Sequence, residues 1–145
     1  MIVLDTNVLS ESLRPSPAPQ VIEWLDAQHV ETLYISVLTV AELRLGIEVL
    51  PAGTRRATLA HRLEGEVFPL VAGRILPVDD AVAGEFARLQ AAARRAGRTM
   101  PTVDALIAAT CSAHGFALAT RNVADFEASG VRLVDPWRVQ RGPGD

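Results

Sequence analysis

The chain has 145 residues, 49% of them hydrophobic and 21% charged, which is typical of one globular domain with a sizeable core and excludes a disordered protein. Its net charge of -3 argues against a protein that holds nucleic acid by positive charge alone, although an acidic site loaded with metal still attracts phosphate. The one cysteine, Cys111, excludes an internal disulfide and fits a reducing cytoplasm. The sequence shows no basic leader and no apolar run near the roughly 20 residues of a membrane span, so we expect a cytoplasmic protein without a membrane partner.

The first half of the chain alternates short apolar strands with amphipathic helices. The run 2–4 predicts a strand buried on both faces, and Thr6 or Asn7 is placed to cap a helix that ends near Leu13. The further predicted elements are a helix with Val21, Trp24 and Leu25, a strand at 33–35, a helix capped by Ser36 that carries Leu38, Glu42, Leu45 and Val49, and a helix from Thr54 with Leu59, Leu63 and Val67.

The second half continues the same alternation. Pro77 predicts that the strand at 74–78 lies at an edge of the sheet or that the proline marks a strand end. The other predicted elements are a helix capped by Asp79 or Asp80 that ends at Gly97, a helix capped by Thr102 and closed at 114–115, a strand at 116–119, one helical turn at 123–126 and a strand at 131–134. We therefore expect an α/β fold with a parallel sheet, one domain over residues 1–137 and a flexible tail over 138–145.

Acidic residues follow several of the predicted strands. Asp5 ends the first strand, Asn122 and Asp125 follow the strand at 116–119, and Glu42 and Asp104 lie in the opening turns of helices. Because ligand sites in parallel sheets lie beyond the carboxyl ends of the strands, these acids are expected to point into one cleft. Their mutual repulsion needs a counter-charge, and a hard divalent cation such as Mg²⁺ with oxygen ligands supplies it.

Each helical acid also has a simpler interpretation. Glu42 shares its predicted helix face with Leu45 and Val49, where a charge is costly unless it has a partner; Arg44 or Arg14 would be such a partner. Asp104 is equally well explained as a carboxylate that the helix dipole favours in a first turn. Asp5 is harder to explain without a functional role, because it ends a buried strand.

Four segments together resemble a known family. DTNVLSE near the N-terminus, VAEL at 40–43, TVDALIAAT at 102–110 and ATRNVADFE at 119–127 look like the PIN-domain ribonucleases, in family order and at family-like spacing. The closest resemblance is to the VapC-like and FitB-like toxins of bacterial toxin–antitoxin pairs, and it covers residues 1 to about 137. It implies a three-layer Rossmann-like domain with a parallel sheet of about five strands and an acidic site for Mg²⁺ or Mn²⁺.

The resemblance also implies roles for individual residues. Asp5, Glu42 and Asp104 match the core metal-site acids. The fourth acid is Asp125, with Asn122 as a neutral ligand or as a group that orients the ligands; which of the two provides the fourth ligand stays open. Three matched polar positions orient the acids or a metal-bound water: Thr6, Asn7 and Thr120.

The function implied is hydrolysis of RNA phosphodiester bonds by a water activated by one or two Mg²⁺ or Mn²⁺ ions. Such toxins form homodimers, and each is neutralised by an antitoxin through which operator DNA is contacted only indirectly. Arg94, Arg95 and Arg98 either bind the RNA backbone or complement a helix dipole. The alternatives are a PIN-domain scaffold without activity and a phosphoacceptor or phosphatase domain; the latter needs a lysine, which this sequence lacks.

Overall fold

A computed structural model describes residues 1–138. Five parallel strands form one sheet in the order β3-β2-β1-β4-β5. The strands are β1 (Ile2–Leu4), β2 (Leu33–Ser36), β3 (Ile75–Leu76), β4 (Ala117–Ala119) and β5 (Leu133–Val134). β3 is an edge strand as predicted, and it ends at Leu76, directly before Pro77, which has no N–H to donate to a neighbouring strand.

Helices cover both faces of this sheet. They are α1 (Thr6–Ser12), α2 (Pro19–Asp26), α3 (Val37–Glu48), α4 (Thr54–Arg62), α5 (Phe68–Leu70), α6 (Asp80–Arg95), α7 (Thr102–His114) and α8 (Val123–Phe126). A π-helical turn over Leu63–Val67 joins α4 to α5, where one continuous helix was predicted. The three-layer α/β fold expected from the sequence is confirmed.

Two apolar clusters lie on opposite faces of the sheet because successive strand side chains point to opposite sides. Val3 and Leu118 pack with α6 and α7, whereas Leu4 and Ala119 pack with α1, α3 and the π-helical turn. The central strands β1 and β4 are thus buried on both faces. This burial fixes where each strand ends, and therefore where the polar residues after it emerge.

Helix starts differ from the sequence expectation at two places. Asp5, not Thr6 or Asn7, caps α1, with its carboxylate accepting a hydrogen bond from the Thr6 amide. Pro101, not Thr102, precedes the first helical residue of α7. The predicted caps Ser36 and Asp79 are confirmed.

The exposed face of α3 also contradicts the sequence analysis. Leu45 and Val49 are 62% and 71% exposed, and Glu42 is exposed beside them, while Val40 and Leu43 face the core. The argument that Glu42 occupies a costly apolar face is therefore wrong.

Within residues 1–138, no helix is long and apolar enough to cross a membrane. Most of the predicted tail, from residue 139 onward, lies outside the described residues.

Candidate active site

Asp5 lies at the carboxyl end of β1 and is only 6% exposed. Its backbone amide donates to the carbonyl of Ala119 at 2.9 Å, which anchors the residue between β1 and β4. Oδ1 accepts from the Thr6 amide at 2.8 Å. Burial raises the pKa of Asp5, and the nearby charge of Glu42 adds to this, while the hydrogen bonds to Thr120, Thr6 and Asn7 act in the opposite direction. Neutral donors alone hold this carboxylate.

Thr120, fully buried, connects the β4 end to Asp5. Its hydroxyl donates to Asp5 Oδ2 at 2.7 Å and accepts from the Asn122 amide at 3.1 Å and from Asn7 Nδ2 at 3.4 Å. A hydroxyl has one donor and two acceptor positions, so Thr120 uses all of them. Asn7 Nδ2 lies 3.3 Å from Asp5 Oδ2, and Asn7 Oδ1 accepts from the Arg121 amide at 3.2 Å.

Glu42 is tied to the same strand end through Thr6. The Thr6 hydroxyl donates to Glu42 Oε1 at 2.8 Å, and its oxygen lies 3.2 Å from the hydroxyl oxygen of the buried Thr39. The two arginines that were alternative partners are engaged elsewhere: Arg44 pairs with Glu64 and Arg14 with Glu11. Thr39 was not identified from the sequence. The signal that could have identified it is a threonine three residues before Glu42 in the same predicted helix.

Asp104 and Asp125 complete a group of four acids at the carboxyl edge of the sheet. This group is called the acidic edge: Asp5, Glu42, Asp104 and Asp125. Asp104 is half-buried in the first turn of α7, and its pKa is raised by burial and then by the negative charges of Asp5, Asp125 and Glu42. Asp125 is exposed in α8, where its amide donates to the Asn122 carbonyl at 3.0 Å. Asn122 precedes α8 without capping it through its side chain. Asp104 therefore lies within electrostatic reach of each of the other three acids.

The donor set fits a hard divalent cation held partly by water. No three Asp, Glu, His or Cys side chains among residues 1–138 come close enough to form a ready-made metal site. Mg²⁺ usually takes only one or two protein carboxylates and keeps several waters, so a closed cage is not required. In the same part of the chain, none of the four acids forms an ion pair with an arginine. The carboxylates that do form ion pairs are Glu11, Glu48, Glu64, Glu66, Glu85 and Asp135. Repelling oxygen ligands without a protein counter-charge are suited to an added cation.

In the metal-free protein, we expect Asp104→Asn to raise the melting temperature at pH 7. A raised carboxyl pKa means that the folded state binds the proton more tightly, so the ionised group lowers stability above its folded pKa. This loss disappears as the pH falls toward the unfolded value of 3.8. Because Asp104 is partly exposed and screened, the gain stays below about 1 kcal/mol, roughly 2–4 °C.

Thermal unfolding followed by circular dichroism in EDTA measures this difference at pH 7 and near the unfolded pKa. Glu23→Gln, at an exposed position in the middle of α2, is the control and should show no comparable pH-dependent gain. A lower melting temperature for Asp104→Asn at pH 7 would contradict the assigned repulsion.

The three candidate RNA-binding arginines have different positions. Arg94 and Arg95 end α6, where they complement the helix dipole, and Arg98 follows in the connection to α7. All three are exposed, and Arg98 lines a cavity together with Asp125.

The fold and the order of these motifs agree with comparisons with known proteins. Residues 2–128 match the PIN domain. The chain belongs to the PIN-domain family. It is 50% identical over 137 residues to the VapC ribonuclease Y4jK of Sinorhizobium fredii (strain NBRC 101917 / NGR234), covering 94% of this chain and 98% of that protein. It is 45% identical to Toxin FitB of Neisseria gonorrhoeae (strain ATCC 700825 / FA 1090), covering 94% of this chain and 99% of FitB.

A solved structure also supports the similarity to FitB. The crystal structure of FitAcB from Neisseria gonorrhoeae superposes with a TM-score of 0.93 at 45% identity, covering 96% of this PIN-domain chain and 100% of the matched one. Other solved structures that share the fold include FitAB bound to a DNA fragment, at 43% identity and a TM-score of 0.93, and VapBC-5 from Mycobacterium tuberculosis, at 29% identity and a TM-score of 0.64. The predicted resemblance to the VapC-like and FitB-like toxins is therefore confirmed.

Proposed function

We propose that this PIN-domain protein is a Mg²⁺- or Mn²⁺-dependent endoribonuclease and the toxin of a type II toxin–antitoxin pair. The observation that carries the proposal is the acidic edge, where Asp5 and Asp104 have raised pKa values and no arginine neutralises them within residues 1–138. The similarity to a VapC ribonuclease supports a nuclease, and nucleases of this kind generally use divalent ions.

Asp5 and Asp104 are the proposed direct ligands, and Glu42 and Asp125 hold the ion through water or directly. A bound divalent ion supplies a water of lowered pKa and neutralises charge on the phosphate. Thr120 and Asn7 fix the orientation of Asp5 before any ligand arrives, and Thr6 does the same for Glu42. Preorganised oxygens of this kind do not have to reorient during the reaction. Asn122 remains the alternative to Asp125 as the fourth ligand.

A cognate antitoxin is the proposed protein partner, and the toxin–antitoxin complexes that share this fold support it. A groove of about 660 Å³ between α1, α3 and α4 suits a peptide segment with an apolar face, because Leu13, Ile47 and Leu59 line it. The groove reaches Glu42, so its occupant would lie next to the acidic edge. We also propose a homodimer, and contact with operator DNA only through the antitoxin.

Cleavage of tRNA, ribosomal RNA and messenger RNA by the purified chain tests the proposal. We expect cleavage with Mg²⁺ or Mn²⁺, none in EDTA, and recovery when the ion is restored in excess. Bound metal without cleavage of any of these RNA classes would instead favour a scaffold module that has kept its acids.

A further inference from the structure

A second cavity, of about 360 Å³, adjoins the acidic edge at Asp125. Arg98, Thr99 and Pro101 line it from the connection between α6 and α7, and Asp125 and Glu127 line it from α8 and the turn after it. Its volume falls in the range of about 300–1,000 Å³ that is usual for small-ligand sites. The cavity is therefore large enough for one nucleotide.

The walls of this cavity are held by the fold. The Arg98 amide donates to the Ala93 carbonyl at 2.8 Å, and Gln90 Nε2 donates to the Met100 carbonyl at 2.9 Å. Met100 is 3% exposed and anchors the connection in the core. The buried Phe126 does the same for the wall formed by α8. The cavity is thus preformed, and a ligand would not have to order it.

The charged groups of the cavity are available to a ligand. Within residues 1–138, neither the Arg98 guanidinium nor the Glu127 carboxylate has a hydrogen-bonding side-chain or ion-pair partner. Arginine only donates and an ionised carboxylate only accepts, so the ligand must offer both acceptors and donors. With Asp125 assigned to the metal ion, the cavity presents one arginine and one carboxylate, and the Glu127 carboxylate disfavours phosphate as the occupant.

A nucleobase meets this requirement, and guanine meets it best. Its O6 and N7 accept two hydrogen bonds from one arginine, and its N1–H and N2–H groups donate to a carboxylate. The exposed Pro101 adds an apolar surface for the base. Sequence-specific recognition of RNA usually involves unpaired bases of this kind.

We propose that the cavity lined by Arg98 and Glu127 binds one unpaired guanine of the RNA substrate and so sets the nucleotide preference of cleavage. This inference rests on the proposed nuclease function. It gives Arg98 a base-reading role that Arg94 and Arg95, which do not line the cavity, do not share.

The test compares two RNA oligonucleotides that differ only in guanine or adenine at the preferred position, which is first mapped by sequencing the cleavage products of a randomised RNA. We expect wild type to cleave the guanine RNA with a kcat/KM at least about fivefold higher, the lower end of what one bidentate base contact gives. Arg98→Gln and Glu127→Gln should each bring the ratio near unity. Substrates containing 7-deazaguanine or inosine, which lack N7 and the N2 amino group respectively, should lose part of the preference in wild type.

Arg132→Gln, at an exposed position at the amino end of β5, removes the same charge away from the cavity and should keep the wild-type ratio. A preference that is absent from wild type, or that survives in both cavity variants, overturns the inference. Loss of antitoxin affinity in the cavity variants with an unchanged guanine preference would assign the cavity to the protein partner and also overturn it.

Binding separates this inference from the proposed function. Fluorescence anisotropy of the same labelled oligonucleotides in EDTA measures base preference without cleavage. Tighter binding of the guanine RNA by wild type, lost in Arg98→Gln, supports the cavity even if no RNA is cleaved. Equal affinity of wild type for both RNAs overturns it even if cleavage is normal.

Discussion

Replacing Asp5 with asparagine should reduce RNA cleavage by on the order of 10³-fold, because the site loses its most rigidly held charge. The two side chains have the same shape, and asparagine is as good a helix cap as aspartate, so α1 should still begin at Thr6. The amide removes a buried charge whose pKa is raised, but it also places an N–H group where the Asp5 carboxylate accepts from Thr120 and Asn7. Because these two effects oppose each other, we expect a folded protein whose melting temperature in EDTA lies within about 4 °C of that of wild type.

The measurement is single-turnover cleavage with Mg²⁺ or Mn²⁺, together with the melting temperature with and without metal. An ion that binds the folded state raises the melting temperature of wild type, and this increase should shrink strongly in Asp5→Asn. Asp104→Asn should show the same pair of losses, and the control Glu23→Gln should show neither. Full cleavage by Asp5→Asn would rule out the proposed site, whatever the stability results.

The position of the acidic edge was predictable from the chain because it depends on strand ends. An apolar run such as 2–4 must be buried on both faces, and the first charged residue after it must then lie at the carboxyl edge. The same reasoning applies to the residues after β4. Parallel pairing of β1 with β4 then brings Asp5 and Thr120 to neighbouring positions, although 115 residues separate them along the chain.

The details that the sequence did not predict depend on which contact forms at a local choice. Leu45 and Val49 have the spacing of a buried helix face, but the packing of α3 is decided by Thr39, Val40 and Leu43, which point to the sheet. Helical periodicity alone cannot tell a core face from an apolar face left open to a partner.

Hydrogen bonding decided the cap of α1 in the same way. Asp5, Thr6 and Asn7 are all good helix caps, and sequence preference does not rank them. The strand ladder resolves the choice, because the Asp5 amide pairs with Ala119 and leaves the Asp5 carboxylate facing the Thr6 amide. That single choice frees the Thr6 hydroxyl to hold Glu42.

Replacing Thr120 with valine should lower cleavage by about 10–100-fold, the usual cost of removing a group that orients a metal ligand. Valine keeps the volume of this buried side chain but removes the 2.7 Å hydrogen bond to Asp5 Oδ2. It also leaves the Asn122 amide without its acceptor, whereas Asn7 Nδ2 keeps Asp5 Oδ2. An unpaired buried donor costs about 1–3 kcal/mol, and because the Asn122 amide is only partly buried, the expected loss of stability lies at the lower end of this range.

Thr120→Ser separates the positioning role from a structural one. Serine keeps the hydroxyl and loses a methyl group, so it should recover most of the cleavage while its melting temperature still falls below that of wild type. If Thr120 acts through the orientation of Asp5, the valine variant should also need more Mg²⁺ or Mn²⁺ for half-maximal cleavage, whereas serine should not. A valine variant with the wild-type metal requirement, and cleavage that tracks its melting temperature alone, would show that Thr120 only stabilises the fold. The distinction is measurable because the two parts of the Thr120 side chain contribute to different quantities. The hydrogen bond from its hydroxyl to Asp5 contributes to metal affinity, and its methyl group in the core contributes to the free energy of unfolding.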